Sequence, residues 1–106
     1  MKAIIRGKRY DTAKATLIGE TAARYVSVND FHYWKAGLYV TPRGGQYFLA
    51  GEGGPMTRWA KHVGNGERTG GEGIVPLDKD QALEWAERYL WTAEVEKHFG
   101  AVVQDA

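Results

Sequence analysis

The sequence predicts an α+β fold, an antiparallel sheet with a central hairpin packed against two or three short helices, with the clearest helices C-terminal. Three observations predict it. Two aromatic and β-branched runs flank a Pro-Arg-Gly-Gly turn in "DFHYWKAGLYVTPRGGQYFLAGEG", residues 30–53. Apolar residues recur at helical spacing after Asp78. The chain has 106 residues, 43% hydrophobic and 12% aromatic, enough for one real core, and it reads as a single domain over residues 1–106.

"AIIRGKRYD", residues 3–11, reads as two short strands around a tight turn at Arg6-Gly7. Glycine supplies the positive φ such a turn requires. "DTAKATLIG", residues 11–19, reads as a two-turn helix, capped by Asp11 or Thr12 and ended by Gly19. "RYVSV", residues 24–28, fits either a short strand or an extended connector.

In the central hairpin, Pro42 presets φ and the glycines tolerate φ above zero. Pairing Thr41 with Gln46 sets Val40 opposite Tyr47, Tyr39 opposite Phe48 and Leu38 opposite Leu49. That register places Trp34, Leu38, Val40, Tyr47 and Leu49 on one face. Phe31, Tyr33, Tyr39 and Phe48 fall on the other. Two aromatic faces mark a hairpin central to its sheet, with helices on one side.

Beyond it, Gly51, Gly53 and Gly54 turn the chain, and "PMTRWAKHV" begins a short helix or an irregular arm. "GNGERTGGEG", residues 64–73, reads as a polar glycine-rich loop, and "GIVPL", residues 73–77, as a strand stopped by Pro76. Asp78 with Gln81 forms a capping box, and Leu77 with Ala82 a hydrophobic staple. Leu83, Ala86 and Leu90 make the buried stripe of that helix, and Glu84 can pair with Arg88 at i,i+4. A second helix follows Thr92, burying Val95 and Phe99.

The chemistry is bounded mostly by what fails to fit. There is no cysteine, so disulfides, thiolate metal sites and cysteine nucleophiles are excluded. His32, His62 and His98 lie in separate segments without metal-ligand spacing. A phosphate-binding P-loop requires G-x-x-x-x-G-K-[ST], and here the glycines run Gly-Glu-Gly-Gly-Pro-Met-Thr-Arg. Pro55 also removes a donor that an anion nest would use. Asp30 and His32 form a candidate diad, since a strand spacing of two would put both on one face. Glu52, set between two glycines, is the most unusual carboxylate and the one candidate general base, without a partner acid. No cofactor is called for. No run approaches the roughly 20 apolar residues of a membrane span, and the N-terminus lacks the apolar core of a signal peptide. The chain therefore reads as a cytoplasmic protein with no membrane association.

Two binding classes remain. The net charge of +1 divides unevenly: residues 1–68 hold eleven Lys/Arg and five Asp/Glu, residues 69–106 three and eight. In the first half Arg58, Trp59, Lys61 and His62 form a basic-aromatic run suited to stacking and phosphate contact. A pI near 8.0 is below that of dedicated nucleic-acid binders. In the second half Asp80, Glu84 and Glu87 form an acidic row beside Trp85 and Tyr89, residue types that anchor protein interfaces or compete for a basic surface. The candidate partner-binding set is therefore Asp80, Glu84, Glu87, Arg58, Trp59 and Glu52, with a small nucleic-acid-binding or regulatory protein as the alternative.

"GKRYDT", "DFHY", "LYVTPRGGQYFLAGEGGPMTRWA" and "GIVPLD" resemble a group of small proteins carried by phages, plasmids and integrated elements of bacteria. The similarity spans about residues 2–99, and its most specific part is the L-Y-x-T…G-x-x-F-L-x-G-E-G-G-P-M core. Proteins of such elements include anti-CRISPR inhibitors, which this chain is similar to in length, lack of cysteine and α+β character. It departs from the strongly acidic nucleic-acid mimics among them. The resemblance implies a non-enzymatic inhibitor in a bacterial host cell that binds a CRISPR-Cas effector subunit stoichiometrically, blocks DNA binding and needs no cofactor.

Overall fold

The computed structural model describes residues 1–23, 27, 29–43 and 45–106. In chain order its elements are β1 (Lys2–Ile5), β2 (Lys8–Asp11), β3 (Thr16–Ala22), β4 (Trp34–Val40), β5 (Tyr47–Gly53), β6 (Lys61–Gly64), β7 (Glu67–Thr69), β8 (Gly71–Leu77), α1 (Lys79–Tyr89) and α2 (Thr92–Phe99). The fold is α+β. A four-stranded antiparallel sheet in the order β3-β4-β5-β8 is accompanied by the β1-β2 and β6-β7 hairpins.

The β4-β5 hairpin is central, in the register its turn demands. Val40 faces Tyr47, Tyr39 faces Phe48 and Leu38 faces Leu49. Thr41 N–H donates to the Gln46 carbonyl at 2.9 Å. One face packs against the helices: Leu38, Leu49, Ala36 and Ile18 meet Ala82, Ala86, Val95 and Phe99. On the other face Phe48 is fully buried beneath the β1-β2 hairpin, edge-on to Tyr10 at 5.4 Å and stacked on Tyr39 at 5.3 Å. Phe31 and Tyr33 do not extend that face. They lie in the turn before β4, where Asp30 reverses the chain, and Phe31 is 65% exposed.

Asp78 caps α1 as a full capping box, with Gln81 N–H on its carboxylate at 2.7 Å. The helix is buried most deeply at Ala82 and Ala86, with Leu83, Trp85 and Leu90 packed around them. Small residues at the contact let the helix approach the sheet closely. In α2, Val95 and Phe99 are buried as their spacing predicts.

Three segments differ from the sequence reading. Residues 11–19 form no helix. Asp11 caps a turn, accepting Ala13 N–H on its carboxylate at 3.0 Å, and β3 then starts at Thr16. An isolated two-turn helix is marginal in water, whereas β3 buries Ile18 and pairs along β4, with a bulge between Leu17 and Gly19. Residues 64–73 are not a loop. Asn65-Gly66 closes the β6-β7 hairpin with φ of 51° and 73°, the primed-turn geometry that Asn-Gly favours. Every residue from 61 to 70 is exposed, so no apolar alternation advertises the strands. Pro76 does not stop β8. It lies opposite Phe48, and β8 is an edge strand, where a missing donor is tolerated. Residues 54–60 take the irregular form, not the helical one, and lead directly into β6. The "RYVSV" run lies outside the described residues apart from Ser27.

Candidate functional site

Where α1 leaves the sheet beside the turn of residues 54–60, an open cleft of about 610 Å³ forms. Most of its large side chains come from three places. β4 supplies Trp34, α1 supplies Glu84, Trp85, Arg88 and Tyr89, and the turn supplies Met56, Arg58 and Trp59. The sequence folds this way for a local reason. Ala82 and Ala86 are buried on the sheet, while Trp85 and Tyr89, on the neighbouring stripe of the helix, are large side chains that line the cleft.

The aromatic rings form a connected series. Tyr89 meets Trp34 edge-on at 5.2 Å and Trp85 at 5.1 Å, joining sheet to helix. All three side chains are half-buried, with part of each ring facing solvent. Two cations lie over aromatic rings at the cleft, one of them over a ring of this series. Arg58 lies over the Trp59 ring, its Cζ 5.4 Å from the centroid, and Arg88 over Tyr89 at 5.5 Å. Both distances are within cation–π range.

The turn carrying Arg58 is held tightly. Thr57 Oγ1 donates to the Gly54 carbonyl at 2.8 Å and accepts Trp59 N–H at 3.2 Å. Gly54 N–H donates to Tyr33 O at 2.8 Å and Met56 N–H to Phe31 O at 3.0 Å. These bonds tie the turn to residues 31–33, so the exposed side chains of Phe31 and Met56 are carried by adjoining strips of backbone beside the cleft. The glycines of "AGEGGPM" permit close approach of neighbouring groups. Gly51 lies under the Trp59 indole, and Gly53 and Gly54 pack on Tyr33 O and Phe31 O.

The candidate residues divide between surfaces. Arg58, Trp59 and Glu84 come together at the cleft. Trp59 is only 5% exposed and belongs to the core, so it supports the site more than it presents a free indole. The acidic row separates: Glu84 faces the cleft, whereas Glu87 lines a groove with Leu83, Val102 and Val103. Asp80 stands exposed in the first turn of α1. Glu52 lies on the opposite side of the sheet, in a small hollow with Lys35, Tyr39 and Glu20.

Arg88, Trp34, His32 and Met56 are cleft residues that the sequence did not place in the partner-binding set. Arg88 reads from spacing as a partner for Glu84, yet among the described residues the only ion pair is His32 with Asp30. That pair is an exposed turn and not two strand residues on one face. Asp30 Oδ1 accepts His32 N–H at 2.7 Å and lies 3.2 Å from His32 Nδ1. The backbone hydrogen bond holds the Asp30 carboxyl below the usual carboxylate value, helped by the nearby imidazole. Among the described residues no set of three His, Asp or Glu side chains gathers within metal-binding reach, and no helix is long and apolar enough to cross a membrane.

No protein-family model matches the chain, and neither a curated protein nor a solved structure matches it.

Proposed function

We propose that this protein is a non-enzymatic binding protein of a mobile element that inhibits a CRISPR-Cas effector, docking on one effector subunit through the aromatic cleft and so blocking DNA binding. One observation carries the choice of surface. Trp34, Trp85, Tyr89, Arg58 and Arg88 converge on a single open cleft beside exposed Phe31 and Met56. Partly exposed tryptophan, tyrosine and arginine on a rigid sheet-and-helix frame are the residues that dominate protein interfaces. The sequence resemblance supplies the partner class. The separation of Glu84 from Glu87 argues for cleft docking over an acidic helix face that mimics DNA.

The test mixes the purified chain with a purified effector complex. Co-elution on size exclusion, with loss of target-DNA binding, is the expected result. Arg88→Glu should abolish both, and Lys97→Glu on α2 should change neither. An effector that binds DNA equally well with and without the chain would end this reading.

A second reading rests on the exposed β6-β7 hairpin, whose Lys61, His62 and Arg68 could contact phosphates. It predicts salt-dependent association with DNA that falls on Lys61→Glu/Arg68→Glu. Buried Trp59 offers no face to a base, so this reading no longer includes stacking at that residue.

A further inference from the structure

Both guanidinium groups at the cleft lie over aromatic rings and have no acceptor among the described residues. Neither Arg58 nor Arg88 donates a hydrogen bond to, or forms an ion pair with, any described residue. Glu84, one turn before Arg88, does not reach it. A guanidinium over an aromatic ring keeps its N–H fork available for a planar, two-oxygen acceptor, and gives up less side-chain freedom on binding than an unsupported one.

Resting on the docking reading above, we infer that the cleft takes an acidic-hydrophobic peptide segment of the partner, a bulky apolar side chain entering between Trp34, Trp85 and Tyr89 and a neighbouring Asp or Glu carboxylate bridging Arg58 and Arg88. Charge complementarity selects this occupant. Two arginines face one carboxylate, Glu84, which is left to accept main-chain N–H groups of the segment, whereas Gln81 at the same wall is engaged by Asp78 N–H in the capping box. The same Glu84 would repel a run of phosphates, which sets nucleic acid apart from an isolated carboxylate. A cleft of about 610 Å³ is within the ordinary range of ligand pockets, room for more than one side chain of the segment.

The test pans a random dodecapeptide display library on the immobilised chain, then remakes the enriched peptides with Asp and Glu replaced by Asn and Gln. Enriched sequences should place Asp or Glu beside Trp, Phe, Leu or Ile. The amide versions should bind at least tenfold more weakly, as should the parent peptides to Arg58→Gln/Arg88→Gln. Both arginines are exposed, so that variant should melt as the parent does, which separates lost binding from lost folding. Enrichment of neutral or basic peptides, equal binding by the amide versions, or no enrichment would overturn the inference. So would a twelve-nucleotide oligothymidine that binds through the same two arginines. An effector that binds the parent and Arg58→Gln/Arg88→Gln equally would sink the carboxylate anchor while leaving the docking reading in place.

Discussion

The indole of Trp59 occupies the space that a side chain at Gly51 would need. A Cβ built at Gly51 falls 2.6 Å from Trp59 Cε2 and 2.8 Å from the Lys35 carbonyl oxygen. The two residues are therefore coupled. Gly51→Ala should destabilise by about 1–3 kcal/mol through overpacking. Trp59→Ala should cost about 3–5 kcal/mol as a core truncation. The double variant should be less destabilised than the sum of the two, because the alanine methyl enters space the indole has vacated. Urea denaturation of the four proteins checks this, and strict additivity would contradict it.

Gly53→Ala and Gly54→Ala should each lower stability by about 1–3 kcal/mol. The obstacle at Gly54 is rigid: its Cβ would lie 2.6 Å from the Phe31 carbonyl oxygen and 3.0 Å from that of Asp30. Relief requires residues 30–31 to shift, which would break the Met56 N–H bond to Phe31. Thermal melting reads the loss, and an unchanged midpoint for Gly54→Ala would refute the packing described.

Phe31 and Met56, 65% and 56% exposed, should matter to binding and not to folding. Phe31→Ser/Met56→Ser should leave stability within about 0.5 kcal/mol, as for surface positions generally. Affinity for the partner should fall at least several-fold, measured by calorimetry alongside a melting curve. Loss of stability without loss of affinity would reverse the roles assigned to this pair.

The Asp30 carboxyl, held below the usual carboxylate value chiefly by His32 N–H, gives the turn a pH dependence of definite sign. A carboxyl with a lowered folded pKa adds stability that is fully present above its unfolded value near 3.8 and is lost as pH falls through the lower folded value. Carbon-detected NMR titration should therefore give Asp30 a midpoint below 3.8. Asp30→Ala should flatten the acid limb of the stability curve relative to the parent. A midpoint at or above the ordinary value would remove the hydrogen bond from the account.

The central hairpin was legible down to its register because Pro42 and Gly45 favour a tight turn there, and alternation then leaves one pairing that sorts the aromatics. The capping box at Asp78 and the buried positions of α2 were legible for similar reasons of local chemistry. β3 was not, because Asp11 caps a turn as readily as it caps a helix, and the pairing that decides between them lies well along the chain on β4. The β6-β7 hairpin was hidden by exposure on every side, although Asn65-Gly66 carried its turn signal. Of the cleft, sequence found Arg58, Trp59, Glu84, Trp85 and Tyr89 as separate segments. It could not bring Trp34 to Tyr89, since that contact depends on how far the helix stands from the sheet.

The bulge in β3 at Leu17 and Gly19 and the proline in β8 have a joint consequence for how this molecule meets others. These strands form the two margins of the four-stranded sheet, and each is interrupted: one by an offset in its ladder, the other by a residue that cannot donate. Neither margin is a good template for an incoming strand, so selectivity toward the proposed partner would rest on side chains and not on a shared backbone ladder. Change in such a protein can then proceed by swapping surface residues one at a time, without disturbing the sheet that displays them.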